Sequence, residues 1–290
     1  MSQEIELKLA LGPEGPDALR RHPLLNESSP SATRLGNTYF DTAGGELEAA
    51  RMALRLRRVD GRLLQTVKTR GEGGGGLSRR GEWEWRVPGP GLDLAGLEGL
   101  PPAELGEDVL RRLEARFTTD FRRETWHLEH RGARIELALD EGDISAAGRH
   151  VEIRELELEL VEGEPAALWS LADALAEHVA LRPSDTSKAA RGGALLSGEW
   201  RLPPGGSPAC WLHRAVVALD AHADSGHGDW REAAADALRR LAALGDTTTR
   251  EAAAADSLGK ALASDAWLTP HNGRQLLWLA HRLSGQLPLA

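Results

Sequence analysis

The chain carries its charges in rows. Five segments alternate polar and apolar residues with a period of two: Gln3-Glu4-Ile5-Glu6-Leu7-Lys8-Leu9, Ala53-Leu54-Arg55-Leu56-Arg57, Glu82-Trp83-Glu84-Trp85-Arg86-Val87, Arg134-Ile135-Glu136-Leu137-Ala138-Leu139-Asp140 and Glu155-Leu156-Glu157-Leu158-Glu159-Leu160. That period sets each polar series on one face of a β-strand. The faces are unusually uniform. Glu4, Glu6 and Lys8 share one, Arg55 and Arg57 another, and Glu136 and Asp140 a third. Arg80 extends the row of Glu82 and Glu84, Lys68 closes Gln65-Thr66-Val67-Lys68, and Glu155, Glu157 and Glu159 form the last row.

A sheet with one solvated face also alternates, but it gives no reason for strands of nearly pure charge. Residues two apart on a strand lie about 6.6 Å from each other at the backbone. Like charges at that spacing repel unless opposite charge lies across from them. A closed barrel with these faces turned inward supplies it. Paired glutamates can converge on a hard cation through oxygen, and arginines so spaced can each grip phosphate oxygens in bidentate fashion. Acidic strands are therefore expected to hold Mg²⁺ or Mn²⁺, and basic strands a polyanion. Such a site works by positioning and electrostatics, as phosphoryl chemistry requires.

Turn signals separate the strands at Ala43-Gly44-Gly45, Val59-Asp60-Gly61, Gly71 to Gly76 and His130-Arg131-Gly132. Asp60-Gly61 between two alternating runs predicts a hairpin. About eight strands with short connections predict an antiparallel sheet or barrel. Apolar residues at helical spacing predict helices over Pro102 to about Ala115 and Pro165 to about Val179, with a third starting near Ser187. The Gly- and Pro-rich stretch from Gly198 to Pro208 reads as a linker. Ala- and Leu-rich helical patterns follow at roughly 209–224, 229–244, 248–263 and 271–284. The expectation is an α+β chain: an eight-stranded antiparallel barrel with flanking helices over residues 1–200, then a small all-α unit over 201–290.

Composition narrows the class. No apolar run approaches the ~20 residues of a membrane span, and Met1-Ser2-Gln3-Glu4 has no basic region of a signal peptide. The one cysteine, Cys210, excludes an internal disulfide and a cysteine metal cluster. A cytoplasmic location is expected. A net charge of -9 argues against nucleic acid as a partner. The 10 histidines are scattered, with no His-x-x-x-His pair. Gly71 to Gly76, which contains Glu72, lacks the Gly-Lys-Ser/Thr ending of a phosphate loop and reads as a flexible hairpin loop. Trp83 and Trp85 sit opposite the charged face of their strand and are expected to pack against flanking helices.

In order along residues 1 to about 197, these elements resemble the CYTH domain of the triphosphate tunnel metalloenzymes. The signature Glu-x-Glu-x-Lys is Glu4, Glu6 and Lys8, followed by Tyr39-Phe40-Asp41-Thr42, Arg55-x-Arg57, Lys68 and Arg80-x-Glu82-x-Glu84. Thr119-Asp120-Phe121-x-Arg123, the Ile135 to Asp140 and Glu155 to Leu160 segments, and Ser187-Lys188-Ala189-Ala190-Arg191-Gly192 complete it. The resemblance is nearest to bacterial inorganic triphosphatases of the CYTH–CHAD type. It implies an eight-stranded tunnel in which Glu4, Glu6, Glu155 and Glu157 hold Mg²⁺ or Mn²⁺, with Asp140 and Glu159 as further candidates. Lys8, Arg55, Arg57, Lys68, Arg80, Arg123, Lys188 and Arg191 would contact phosphate oxygens. Glu82, Glu84 and Glu136 would complete the acidic lining or orient the basic residues. Glu4, Glu6, Lys8, Lys68 and Arg123 are the catalytic candidates, and the implied reaction is metal-assisted hydrolysis of inorganic triphosphate to pyrophosphate and phosphate.

Other members of the same class would use the same tunnel: a nucleotidyl cyclase, or a hydrolase of thiamine, nucleoside or RNA 5′-triphosphates. A polyphosphate-binding module would keep the basic set but has no need of Glu4, Glu6, Glu155 and Glu157. The tail departs from the family pattern. Residues 204–290 hold 8 Lys/Arg against 9 Asp/Glu, a net of -1, a balance that does not suggest the family's basic helix. They are too short for a complete CHAD domain, and a truncated remnant or a helical cap is expected.

Overall fold

The computed structural model describes residues 2–26, 29–69 and 71–284. Its strands are β1 (Ser2–Leu11), β2 (Ser31–Asp41), β3 (Ala53–Val59), β4 (Arg62–Lys68), β5 (Glu72–Gly74), β6 (Leu77–Val87), β7 (Glu114–His130), β8 (Ala133–Ala146), β9 (Arg149–Glu162) and β10 (Leu181–Pro183). Eight of them close a ring in the order β1-β9-β8-β7-β2-β3-β4-β6, and the pairing of β1 with β6 completes it. All the pairings are antiparallel, as expected for short connections. Short β5 and β10 extend the sheet from β6 and β1.

The turns follow local backbone chemistry. At Asp60-Gly61 both residues have positive φ (47° and 72°), so Val59 pairs directly with Arg62. Arg131-Gly132 joins β7 to β8 in the same way, and Ala147-Gly148, a turn the sequence did not signal, joins β8 to β9. The helices are α1 (Gly15–Arg20), α2 (Glu46–Ala49), α3 (Glu107–Arg111), α4 (Ala166–Leu175), α5 (Lys188–Ser197), α6 (Pro208–Ser225), α7 (Gly228–Ala242), α8 (Thr249–Ala261) and α9 (Pro270–Leu283). The helix expected over Pro102 to Ala115 is not continuous. A 3₁₀ turn spans Pro101–Leu105, Gly106 takes a φ of 92°, and α3 lasts five residues. The pairing of Glu114 with Asp41 then claims the next residues for β7.

Alternation sorts the side chains to two sides. Outward, Leu7, Leu9, Leu137, Leu139, Leu156 and Leu158 are fully buried under α4 and the C-terminal helices, in one continuous apolar cluster with Leu212, Leu219, Leu277 and Leu279. Trp83 and Trp85 also face outward, beside Leu97, Leu100 and Leu105 of the 3₁₀ segments, and Trp85 donates to Asp93 at 3.0 Å. Inward, Leu35, Phe121, Ile144, Val151 and Ile153 fill one end of the barrel together with Leu195 of α5. The charged rows take inward positions beyond this end, with neutral residues such as Asn37 and Thr66 among them.

The helical unit docks by close backbone approach. A Cβ at Gly273 in α9 would lie 2.1 Å from the Leu181 carbonyl oxygen of β10. Alanine in a helix is ordinarily preferred to glycine by about 1 kcal/mol. Here Gly273→Ala is expected to do the reverse and lower the melting temperature by several degrees, about 2–4 °C for each kcal/mol lost. A thermal melt checks it, and an unchanged or raised midpoint would mean that α9 does not press on β10 in this way.

Candidate functional site

Strand register decides which charges meet. On β1 and β6, Glu4 pairs with Arg80 and Glu6 with Ser78. On β1 and β9, Glu6 pairs with Glu159 and Lys8 with Glu157. Arg80 bridges the first two glutamates, with Nε 2.8 Å from Glu4 and a terminal nitrogen 2.8 Å from Glu6. Lys68 reaches Glu4 at 3.1 Å and Glu82, its neighbour across β4 and β6, at 2.9 Å. Arg55 lies between Glu82 and Glu84, at 3.8 and 4.0 Å. Thr66 donates to Glu84 at 2.8 Å. Lys8 turns to the Thr186 carbonyl at 2.5 Å.

A second group lies deeper. Arg123 binds Asp140 through two nitrogens at 2.7 Å and also reaches Glu157. Lys188, at the start of α5, puts its ammonium on Asp140 at 2.7 Å, on Glu157 at 3.1 Å and on Glu155. Asp140, Glu155 and Glu157 have the mutual spacing of a metal cluster, but Lys188 already stands among them. The same ammonium lies 4.9 Å from the centre of the Phe121 ring, at the apolar end of the barrel.

A cavity of about 1860 Å³ occupies the barrel interior and its mouth. Glu4, Glu6, Lys8, Arg55, Arg57, Lys68, Arg80, Glu82, Glu84, Arg123, Glu136, Glu157, Glu159 and Lys188 all line it. Three predicted residues do not. Asp140 and Glu155 stand behind Lys188, at 0% and 3% exposure. Arg191 is turned away from the cavity, to Asp224 of α6 at 2.7 Å, Glu155 at 3.2 Å and the Glu152 carbonyl at 2.6 Å. Asp41, in the Tyr39 to Thr42 segment, ties the turn into α2. Its carboxylate accepts from the amides of Thr42, Leu47 and Glu48 at 2.7, 2.8 and 2.9 Å.

The Gly-rich stretch is held at its tip. The amides of Gly75 and Gly76 donate to Asp185 at 3.2 and 2.6 Å, and a Cβ at Gly75 would meet Ala280 of α9 at 2.9 Å. The side chain of Glu72 lies outside the described residues. Asp185 and His213 join the lining without having stood out in the sequence. A run of short polar residues before a helix, Ser184 to Ser187, was the available signal for the first. A lone histidine on an apolar-rich helix gave none for the second.

Most charges in the cavity are answered, and Glu159 and Arg57 stand out among those that are not. Burial would raise Glu4, yet Lys68 and Arg80 outweigh it and hold the carboxyl far below the usual range. Burial likewise opposes ionisation of Glu157, and Lys188 and Arg123 overcome it. Burial leaves Glu6 raised in spite of Arg80. Glu159 has no cationic partner within salt-bridge distance among the described residues. Burial, Glu4 and Glu136 push it up to about 7. Arg57 is the converse. Its Nε donates only to the neutral Asn37, at 2.9 Å, and burial together with Arg55 and Arg123 lowers it to about 10. Glu159 is thus a carboxylate suited to a cation, and Arg57 a guanidinium suited to an anion, in the same cavity.

Glu159 gives a prediction with a definite sign. Its folded value is raised to about 7 from 4.5, so its stabilising contribution is present below 4.5 and is lost as pH rises through about 7. Glu159→Gln should therefore stabilise the metal-free protein at about pH 8 and hardly at pH 4.5. The gain should be about 1–2 kcal/mol once screening of a half-buried group is allowed for. Melts of both proteins across that range check it, and parallel pH profiles would remove Glu159 from this field.

Comparison with known proteins agrees with this architecture. The CYTH domain model matches residues 2–192. The inorganic triphosphatase of Haemophilus influenzae is 36% identical over 202 residues, covering 66% of this chain and 54% of that protein. The chain therefore spans about half the length of that curated relative. A putative adenylyl cyclase from Hippeastrum, HpAC1, described as having a dominant triphosphatase activity, shares the fold with a TM-score of 0.50 at 23% identity. That likeness covers 68% of this chain and 96% of the plant protein. With its eight-stranded ring, its inward rows of opposite charge and a family match over residues 2–192, the chain belongs to the CYTH domain family.

Proposed function

We propose that the protein hydrolyses inorganic triphosphate to pyrophosphate and phosphate inside the barrel, with Mg²⁺ or Mn²⁺. The observation that carries this reading is the pair of opposite imbalances in one cavity, Glu159 beside Glu4 and Glu6, and Arg57 beside Arg55 and Arg123. The similarity to the inorganic triphosphatase of Haemophilus influenzae supports the choice of substrate.

The donor set fits a hard divalent ion, because Glu4, Glu6, Glu157 and Glu159 all bring carboxylate oxygens to the lining. When bound, such an ion neutralises charge on phosphate oxygens and makes a bound water more acidic. The chain's own residues do the rest. Arg55, Arg57 and Arg123 grip phosphate oxygens through fixed guanidinium planes. Lys8, Lys68, Arg80 and Lys188 add positive charge to the same wall. In this reading Asp140 and Glu155, also expected as metal ligands, act through Lys188 by holding its ammonium in place. Arg191 fastens α5 to α6 and does not touch substrate. The chemistry belongs to residues 1–200, residues 201–290 support it, and the setting is the cytoplasm.

The test is phosphate release from inorganic triphosphate, ATP, thiamine triphosphate and long-chain polyphosphate, with Mg²⁺ and with Mn²⁺. Inorganic triphosphate should be turned over fastest. Changing a group that merely supports a metal ligand costs about 10–100-fold, so Glu6→Gln should lower kcat at least about 100-fold while the protein melts normally. Arg57→Ala should raise KM more than it lowers kcat. Absence of release from every substrate would sink the hydrolase reading. Cyclic AMP formed from ATP would move it to a cyclase, and polyphosphate bound without turnover to a binding module.

A further inference from the structure

Helix α6 belongs to the C-terminal helical unit, yet it reaches the cavity. His213, Asp220 and Asp224 are seven and four residues apart, which puts them on one helix face. That face grips the segment between β10 and α5 together with both its flanks. Asp224 takes Arg191 of α5, and Asp220 takes Arg182 of β10 at 2.6 Å and the amides of Asp185 and Thr186 in the segment at 3.0 Å each. From the barrel side, Lys8 holds the same segment through the Ser184 amide at 3.0 Å and the Thr186 carbonyl at 2.5 Å. Asp185 is thereby fixed, and one of its oxygens lies 2.6 Å from His213 Nδ1.

Asp185 has little freedom left. It is 5% exposed and accepts from Gly75, Gly76 and His213. His213 is 31% exposed and lines the cavity alongside Lys188 and Ser187. With Nδ1 committed to Asp185, its Nε2 has no hydrogen-bond partner among the described residues. A carboxylate behind one ring nitrogen fixes the orientation and tautomer of the imidazole and leaves the other nitrogen to face a ligand.

We propose that His213 is a substrate-contacting residue: with Asp185 taking the Nδ1 proton, the imidazolium form donates its Nε2–H to a phosphate oxygen of the triphosphate chain at the wall built by the helical unit. This rests on the reading of the cavity as a triphosphate site and adds a residue from outside the matched family region. The charges around the ring are consistent with it. Burial lowers the His213 titration, but the Asp185 hydrogen bond and charge, with Asp220 of its own helix, outweigh burial and the opposing Arg51. The ring is therefore more readily a cation than an ordinary histidine, and a charged donor makes the stronger bond to phosphate.

The experiment measures binding rather than turnover. Inorganic triphosphate is titrated into the full chain with Mg²⁺ at a series of pH values, and the His213 ring nitrogens are followed by NMR with and without triphosphate. Wild-type affinity should fall about three- to tenfold as pH rises through the His213 midpoint, since one charge-assisted contact is lost. Triphosphate should raise that midpoint by a matching amount, as linkage requires. His213→Gln, which keeps a donor for Asp185 but cannot titrate, should bind at the weaker level and lose the His213 part of the slope, keeping only the part that Glu159 and triphosphate itself give both proteins. Asp185→Asn should move the slope to lower pH. An H213Q protein with wild-type affinity and slope, or a wild-type midpoint indifferent to triphosphate, overturns the proposal. In that outcome tight binding by wild type leaves the triphosphate reading standing. If wild type does not bind triphosphate at all, both fall.

Discussion

Glu6 on β1 lies directly across from Glu159 on β9, and Glu4 lies one step along the same inward face. Carboxylates so close in a partly buried space repel, because the lowered dielectric magnifies each charge. The barrel answers by closing. Bringing β6 against β1 delivers Arg80 to both Glu4 and Glu6, and β4 then delivers Lys68. Buried ion pairs of this kind are weak sources of net stability, since desolvation offsets most of the attraction. Their role here is to maintain a fixed field in which a charged substrate meets dipoles and ions already in place. Stability comes from the outer face, where each fully buried leucine contributes about 1.5–3 kcal/mol.

The same constraint explains the position of α5. Glu155, Glu157 and Asp140 would be an uncompensated acidic cluster at the deep end of the cavity. Lys188, in the first turn of the helix, supplies the cation, and Gly192 lets the helix come close enough. A Cβ there would lie 2.2 Å from the Phe117 ring. Helix α6 in turn holds α5 and the approach to it through Asp220 and Asp224. The helical unit is thus joined to the site by buried polar contacts as well as by the shared apolar core.

Much of this was legible in the sequence because period-two alternation gives the strand, its face and its charge together. Glu4, Glu6, Arg55, Arg57 and Glu157 could be put on a common interior from their spacing alone. Alternation is silent about depth. Glu155 and Glu157 are indistinguishable in sequence, yet one lines the cavity while the other stands behind Lys188, because the apolar plug begins at Ile153. Arg191 has the same limitation: three residues after Lys188 on a helix, it points to α6 instead of inward. Pairings between distant segments, such as Asp185 with His213, leave no periodic trace. The apolar spacing over 102–115 misled because Gly106 and the start of β7 interrupt what looks like one helix.

The plug formed by Leu35, Phe121, Ile144, Val151, Ile153 and Leu195 has a consequence for traffic. Hydrocarbon fills one end of the barrel, and the charged lining lies on the other side of it. On the proposed triphosphatase reading, substrate enters and products leave on the charged side. On that reading a long polyanion would offer its terminus, and not its middle, to Lys188 and Arg123 beside the apolar end.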